Sequence, residues 1–247
     1  MARIFKNCFE MIQEMDRELK VAGLTVPVQH YQNQKLEGEN QNTKELIGVN
    51  FIISKPYIGR DEMLKFMFKD EAEKIREYCE VEFDDRIDRA GLNPGNSYKV
   101  REDLWQKLMS RNHEGKFDYT YSERINYRGQ LDNAIRALRD DKHSRRAMIM
   151  VFQPDDTIHS MGFHTRIPCS ISYQFLIRNN KLFVLYYIRS NDYFKHFAID
   201  ICLTSMIQEY VCEQLKDIYP DLKVGPLNYY AGSFHAYNED LSNWVIY

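Results

Sequence analysis

The feature that most restricts the fold is a pair of apolar, β-branched and aromatic runs, residues 171–178 and 182–189, joined only by Asn179-Asn180-Lys181. Runs of this composition read as strands, and a short Asn-rich joint between them reads as a hairpin, so the chain is expected to build an antiparallel ladder here. Residues 147–152 and 226–234 are also strand-like, as is 46–53, a Leu-Ile-Gly-Val-Asn-Phe-Ile-Ile segment that Pro56 ends. Helical spacing alternates with these runs. Ile4, Phe5, Cys8, Phe9, Ile12, Met15 and Leu19 share one face over 3–20, and 61–81, 129–139 and 200–216 repeat the pattern. The stretch 84–120 is polar and carries Asn93-Pro94-Gly95-Asn96, which predicts a turn or insertion loop. Helices mixed with a partly antiparallel sheet predict an α+β fold, and 247 residues suit one domain spanning 1–247.

Hydrophobic residues at 44% and charged residues at 28% are the balance of a soluble globular chain. A formal net charge of −3 gives no global pull toward nucleic acid or a membrane surface, although local arginines can still grip a small anion. Glu10, Glu14, Asp16 and Glu18 interrupt the early apolar positions, against a signal peptide, and no apolar run is long enough to span a bilayer. Five cysteines (Cys8, Cys79, Cys169, Cys202, Cys212) are an odd number without metal-ligand spacing. They predict a reduced, cytoplasmic setting and no bound metal.

Cys169 stands apart from the other four, which read as small buried hydrophobes. It follows Pro168 at the mouth of the hairpin, and the hairpin ends in Arg189-Ser190-Asn191-Asp192. A guanidinium fork beside a hydroxyl suits phosphate oxygens, and an arginine–aspartate pair closing a strand is the plainer alternative. Ser144-Arg145-Arg146 is a second anion grip or a solvated surface pair. In Gly232-Ser233-Phe234-His235-Ala236-Tyr237, His235 and Tyr237 fall on one side of an extended chain, a spacing that suits two hydrogen bonds to one sugar hydroxyl.

Taken in order, the double arginine, the Pro-Cys, Gln174 on the next strand, the Arg-Ser-x-Asp and the Gly-x-x-His-x-Tyr resemble the thymidylate synthase family. Tyr119-Thr120-Tyr121-Ser122-Glu123-Arg124 is similar to that family's active-site tyrosine segment. Arg76-Glu77 is similar to the arginine–glutamate pair of its catalytic helix, with Glu71 and Glu73 as alternatives. The resemblance implies an α+β sandwich with a mixed, largely antiparallel sheet, two subunits pairing sheet against sheet. It implies that Cys169 is the nucleophile, and that Arg189 and Ser190 bind the nucleotide phosphate while Arg145 and Arg146 reach over from the other subunit. It places Gln174 and Asp192 against the substrate, Asp192 also against the folate, and His235 and Tyr237 at the 3′-hydroxyl. Glu77 and Tyr121 would manage protons, and Trp105 and His196 would line the folate site. The implied one-carbon donor is 5,10-methylenetetrahydrofolate, and the implied substrate is a pyrimidine nucleoside monophosphate. The chemistry needs these residue types: C5 of a pyrimidine becomes nucleophilic only after a thiolate adds at C6, and arginines near Cys169 are expected to lower its pKa from about 8.5. A carboxylate with ordered water can then move the C5 proton.

Thirty-one residues beyond Cys169, where synthases carry an asparagine that reads uracil, this chain has Asp200. A carboxylate accepts only, which matches the N4 amino group and a protonated N3 of cytosine and opposes O4 of uracil. The phage deoxycytidylate hydroxymethylases resemble this chain in that aspartate and in Arg-Ser-Asn-Asp. The plainer alternative is that Asp200 caps the helix beginning near Ile201. Two departures stand out: the family's N-terminal phosphate loop is not recognisable in 34–43, and a glycine is replaced by His196. The expected activity is therefore a folate-dependent hydroxymethyltransferase acting on dCMP or CMP, with methylation of dUMP as the alternative. A Cys169–His235 hydrolase lacks an oxyanion or third-group motif, and a non-catalytic nucleotide binder would not need Cys169 and Tyr121.

Overall fold

The computed structural model describes residues 2–28, 30–31, 34–35, 42–110, 113–159 and 165–242. In chain order its elements are β1 (Arg3–Asn7), α1 (Cys8–Ala22), β2 (Leu24–Pro27), β3 (His30–Tyr31), β4 (Gln34–Lys35), β5 (Asn42–Lys55), α2 (Arg60–Phe68), α3 (Ala72–Ile87), α4 (Ser97–Val100) and α5 (Glu102–Trp105). There follow α6 (Tyr121–Asn126), α7 (Gln130–Asp140), β6 (Met148–Met150), α8 (Asp156–His159), β7 (Ser170–Arg178), β8 (Lys181–Asp192), α9 (Ala198–Glu213), β9 (Lys223–Tyr237) and α10 (Asn238–Ser242).

The predicted hairpin is the middle of the main sheet. Asn179 and Asn180 take φ of 51° and 54°, the left-handed pair that a tight two-residue turn requires, and Arg178 pairs with Lys181 across it. The strand order is β1-β5-β9-β8-β7-β6, with β2 also paired to β5. β5–β9, β7–β8, β6–β7 and β2–β5 are antiparallel, whereas β1–β5 and β8–β9 are parallel. The architecture is thus α+β with a mixed sheet.

One face of this sheet is covered by helices, and its aromatic residues form a continuous ladder. Tyr173 stacks on Tyr186 at 4.9 Å, and Tyr229 stacks on Phe51 at 4.7 Å. All four rings are fully buried, and burial of each side chain stabilises by roughly 1.5–3 kcal/mol. α9 lies buried against the ladder almost all round, and its Gln208 fastens it to the sheet by donating to the carbonyls of Leu182 (2.7 Å) and Gly225 (3.0 Å).

Three expectations change. The helix predicted over 3–20 begins only at Cys8, because Asn7 caps it by accepting from Glu10 N, and residues 3–7 instead pair in parallel with β5. The helix predicted over 61–81 is two helices, broken where Lys69 takes φ 49°. The stretch 84–120 is no plain loop: α3 runs to Ile87, and α4, α5 and the segment before α6 follow. Most of 34–43, where the phosphate loop was sought, lies outside the described residues. No helix among the described residues is long and apolar enough to cross a membrane.

Candidate active site

A cavity of about 390 Å³ opens where the ends of β5, β8 and β9 meet α3, α6 and the start of α9. Cys169 lines it, set directly before β7. Arg189, near the end of β8, organises that approach: its backbone N–H donates to Cys169 O (2.8 Å), Nε to Pro168 O (2.9 Å) and Nη2 to Ile167 O (3.3 Å). The same Nη2 lies 3.8 Å from Cys169 Sγ. The expected depression of the thiol pKa does not occur in this state. Burial pushes the Cys169 thiol up, against the opposing pull of Arg189, with Asp200 adding to the rise and Arg166 opposing it.

Tyr121 lines the cavity beside Cys169. It opens α6 behind a capping box formed by Thr120 and Glu123, and its hydroxyl accepts from Ser170 N (3.4 Å) and Oγ (3.2 Å). Ser170 Oγ in turn lies 2.6 Å from Tyr186 OH, so the tyrosine next to the nucleophile is tied to the aromatic ladder. Burial raises the Tyr121 phenol well above its usual range, which keeps it a neutral donor.

Glu77, the proton-handling carboxylate expected from the sequence, does not reach the cavity. It is exposed on α3, as are Glu71 and Glu73 at the helix start. The acidic residues of α3 that line the cavity are Glu82 and Asp85. Glu82 Oε1 accepts from Arg86 Nε (2.8 Å) and its Oε2 from Ser97 Oγ (2.6 Å). Arg86 is 3% exposed, lies 4.2 Å over the Tyr121 ring and donates to Tyr173 OH at 3.4 Å. The sequence held a signal for both. The buried stripe of α3 passes from Ile75, Tyr78 and Cys79 to Asp85 and Arg86 on one period, with Glu82 in line, so charges continue an apolar face. Charges on a core-facing stripe need partners or work to do.

Asp200 is the third residue of α9 and 8% exposed, inside the first turn and not at its cap; Phe197 takes that position. It lines the cavity with Arg86 and Glu82. Burial pushes its carboxyl up to about 7, against Arg86 and the Asn191 side chain, with Glu82 adding a smaller rise. Asp192 ends β8 and holds the following π-helical turn, accepting from Phe194 N and Lys195 N at 3.1 Å each. Burial lifts it to about 6.

The parallel register of β8 with β9 sets Ser190 beside Ser233 and Asp192 beside His235, and the antiparallel register of β5 with β9 sets Glu45 across from His235 and Thr43 across from Tyr237. These side chains line one end of the cavity. At another, Trp105 lies 6.1 Å from His196, ring to ring, and the Arg166 guanidinium lies 5.4 Å over Trp105. His196 is held to about 3 by burial, with Arg101 and Arg166 adding to the drop, so it meets a ligand as a neutral ring. Arg166 is 7% exposed, and its Nε has no hydrogen-bond partner among the described residues. The sequence reading passed over Glu45, Arg86 and Arg166.

Besides Glu77, three expected site residues are not brought to the cavity. Arg145 and Arg146 are exposed ahead of β6, and Gln174 points away from the aromatic ladder and donates to Arg145 O at 3.0 Å. Within one chain they form no part of the pocket. Among the described residues no group of three His, Cys, Asp or Glu side chains could hold a metal ion.

A helix-covered mixed sheet thus brings together, at one cleft, a cysteine with an arginine beside its sulfur and carboxylates from two helices. The chain belongs to the thymidylate synthase family, whose profile, described as "Thymidylate synthase", matches residues 68–245. A protein of Methanocaldococcus jannaschii named "Putative thymidylate synthase" is 33% identical over 127 residues, 51% of this chain and 54% of its own length. A namesake in Methanosarcina barkeri is 26% identical over 176 residues, 68% of this chain and 76% of that one. The match thus spans about half the length of the first relative. The fold is shared with the thermostable thymidylate synthase A of Bacillus subtilis, with a TM-score of 0.65 over 96% of this chain and 82% of the other, at 13% identity.

Proposed function

We propose that this protein is a cytidylate 5-hydroxymethyltransferase. It would combine dCMP or CMP with 5,10-methylenetetrahydrofolate and water to give the 5-hydroxymethyl nucleotide and tetrahydrofolate. The observation that carries the reading is Asp200, a buried carboxyl on the cavity wall at the position where the family's synthases carry asparagine. With its pKa near 7, Asp200 can supply or hold the one proton that cytosine N3 needs, while its other oxygen accepts from the N4 amino group. Uracil already carries a proton on N3 and presents an acceptor at O4, so the ionised carboxylate leaves a lone pair facing a lone pair; a protonated Asp200 could donate to O4, and the discrimination therefore belongs to the carboxylate form.

The remaining roles follow from position. Cys169 would add to C6 as the thiolate, its proton passing to solvent water and Arg189 lying beside the sulfur. Glu82, held by Arg86 and Ser97, is the carboxylate placed to move the C5 proton through water, in the part first assigned to Glu77. Ser190 and Arg189 would meet the phosphate, Asp192 the base and its folate neighbour, and His235 with Tyr237 the sugar. The Trp105–His196–Arg166 corner fits a flat, acceptor-bearing heterocycle, because two rings offer stacking and Arg166 Nε, without a partner among the described residues, offers a donor. Methylenetetrahydrofolate would supply the one-carbon unit there. We read the protein as a cytoplasmic homodimer. The sheet face away from the helices carries Met148, Met150, Ile47 and Tyr230 in exposed positions, an apolar surface that a second sheet would cover, and Arg145 and Arg146 lie exposed beside it. Methylation of dUMP is the second reading, favoured by the names of the relatives.

Kinetics of Asp200→Asn test the choice. The ratio of kcat/KM for dCMP to that for dUMP should fall by roughly 10–1000-fold, the scale of a mispaired polar group in a closed site. An unchanged ratio removes cytosine from the account.

A further inference from the structure

At the sugar end of the cavity, the donor and acceptor inventory fixes more than the identity of the residues. Ser233 and His235 are two apart on β9 and so fall on one side of it, and Glu45 lies across from His235 on β5. Ser233 Oγ donates to Glu45 Oε1, and His235 Nδ1 lies 3.2 Å from the same Ser233 Oγ. A serine hydroxyl has one hydrogen, and a carboxylate only accepts. With that hydrogen committed to Glu45, Ser233 can meet the histidine only as an acceptor, so Nδ1 must carry the ring hydrogen. A neutral imidazole has one N–H, and Nε2 is therefore left with a lone pair. The ring is neutral at physiological pH: burial holds His235 down to about 4, Glu45 opposing, with Lys195 and Arg189 adding to the drop.

We propose that Glu45 is a positioning residue that fixes the His235 tautomer, so that Nε2 accepts a hydrogen bond from a free sugar hydroxyl of the bound nucleotide. The identity of the ligand rests on the function proposed above; the tautomer does not. The direction of that bond narrows the substrate class. A sugar whose hydroxyl at this place is esterified, as in a nucleoside 3′-phosphate or an internal residue of a polynucleotide, brings an acceptor to an acceptor and is rejected.

Nitrogen NMR of protein labelled with ¹⁵N-histidine reads the tautomer directly, the His235 signals being assigned by their loss in His235→Gln. At neutral pH the ligand-free wild type should show His235 with hydrogen on Nδ1. In Glu45→Leu no acceptor is left to hold the serine hydrogen, which is free to turn to Nδ1, and the signals should move to the form with hydrogen on Nε2. A wild-type spectrum with hydrogen on Nε2 overturns the proposal, and it does so even if the variant fails to fold. A folded variant with an unchanged spectrum overturns it equally. The kinetic arm compares dCMP with its 3′-O-methyl ether, whose oxygen can only accept. The ether should raise KM about 10-fold in wild type, the weight of one oriented hydrogen bond, and clearly less in Glu45→Leu, where Nε2–H can donate to it. Equal penalties in both proteins overturn the hydroxyl assignment. Absence of turnover with any cytidine nucleotide sinks the catalytic reading instead and leaves the tautomer result standing.

Discussion

Glu82, Arg86 and Asp200 share one wall of the cavity, and their mutual charges decide what each can do. Glu82 is expected to carry the proton transfer, so Glu82→Gln should lower kcat by about 10²–10⁴-fold with little change in nucleotide affinity. Glu77→Gln, on the exposed face of α3, should leave kcat within about twofold; comparable losses in both variants would return the role to Glu77. Asp200 gives a second residue-level test through stability. Its carboxyl titrates near 7 in the folded chain and near about 3.9 unfolded. Between those values the folded state binds the proton more firmly, so stability falls as pH rises from about 4 to 7. Asp200→Asn cannot titrate and escapes that loss. In urea melts the stability of the variant relative to wild type should therefore grow by about 1–3 kcal/mol between pH 5 and pH 7.5. A constant difference would mean that Asp200 sits in water. The sequence made Cys169, Tyr121, Asp192, Asp200 and His235 legible because each lies in a short motif of fixed spacing. Glu82 and Arg86 sit in no such motif. They were recoverable only from the period of α3, where charge takes over a buried stripe.

Elements position that wall, and the turn between α3 and α4 matters most. Asp85 accepts from Asn96 Nδ2 (3.0 Å) and Ser97 N (2.8 Å), and Ser97 Oγ reaches Glu82, so the turn holds the carboxylate from outside. Gly95 packs against Asp85 so closely that a Cβ would come within 2.2 Å of Oδ2 and 2.7 Å of Cγ. Gly95→Ala should thus displace the turn, costing about 1–3 kcal/mol in a chemical melt and lowering kcat with it. Loss of stability alone, with kcat intact, would show that the turn does not support Glu82. The hairpin, α7 and α9 were legible because period and turn chemistry agree there. The polar stretch 84–120 was not, because its short helices are held by tertiary contacts to α3 and α6 and not by an amphipathic pattern of their own. β1 was hidden for a related reason: Ile4 and Phe5 extend the apolar face of α1, and only the Asn7 cap marks the boundary.

For the whole molecule, the proposed phosphate site needs two copies of the chain. Arg145 and Arg146 are expected to complete the phosphate site of the second subunit, since they do not reach the cavity of their own. Mixing Arg146→Ala with Cys169→Ser chains should then restore roughly a quarter of wild-type activity, from the one intact site of each randomly formed hybrid dimer. No recovery after subunit exchange, or a monomer by sedimentation at micromolar concentration, contradicts the shared site. The central claim is that water, not hydride, completes the reaction on a cytosine base. Incubation of the enzyme with dCMP and methylenetetrahydrofolate in H₂¹⁸O, followed by mass spectrometry of the nucleotide and absorbance of the folate, tests it most directly. The account predicts 5-hydroxymethyl-dCMP carrying the heavy oxygen, about two mass units above the product made in ordinary water, with tetrahydrofolate as the only folate product. Formation of dihydrofolate with a methylated nucleotide, or turnover confined to dUMP, would contradict it.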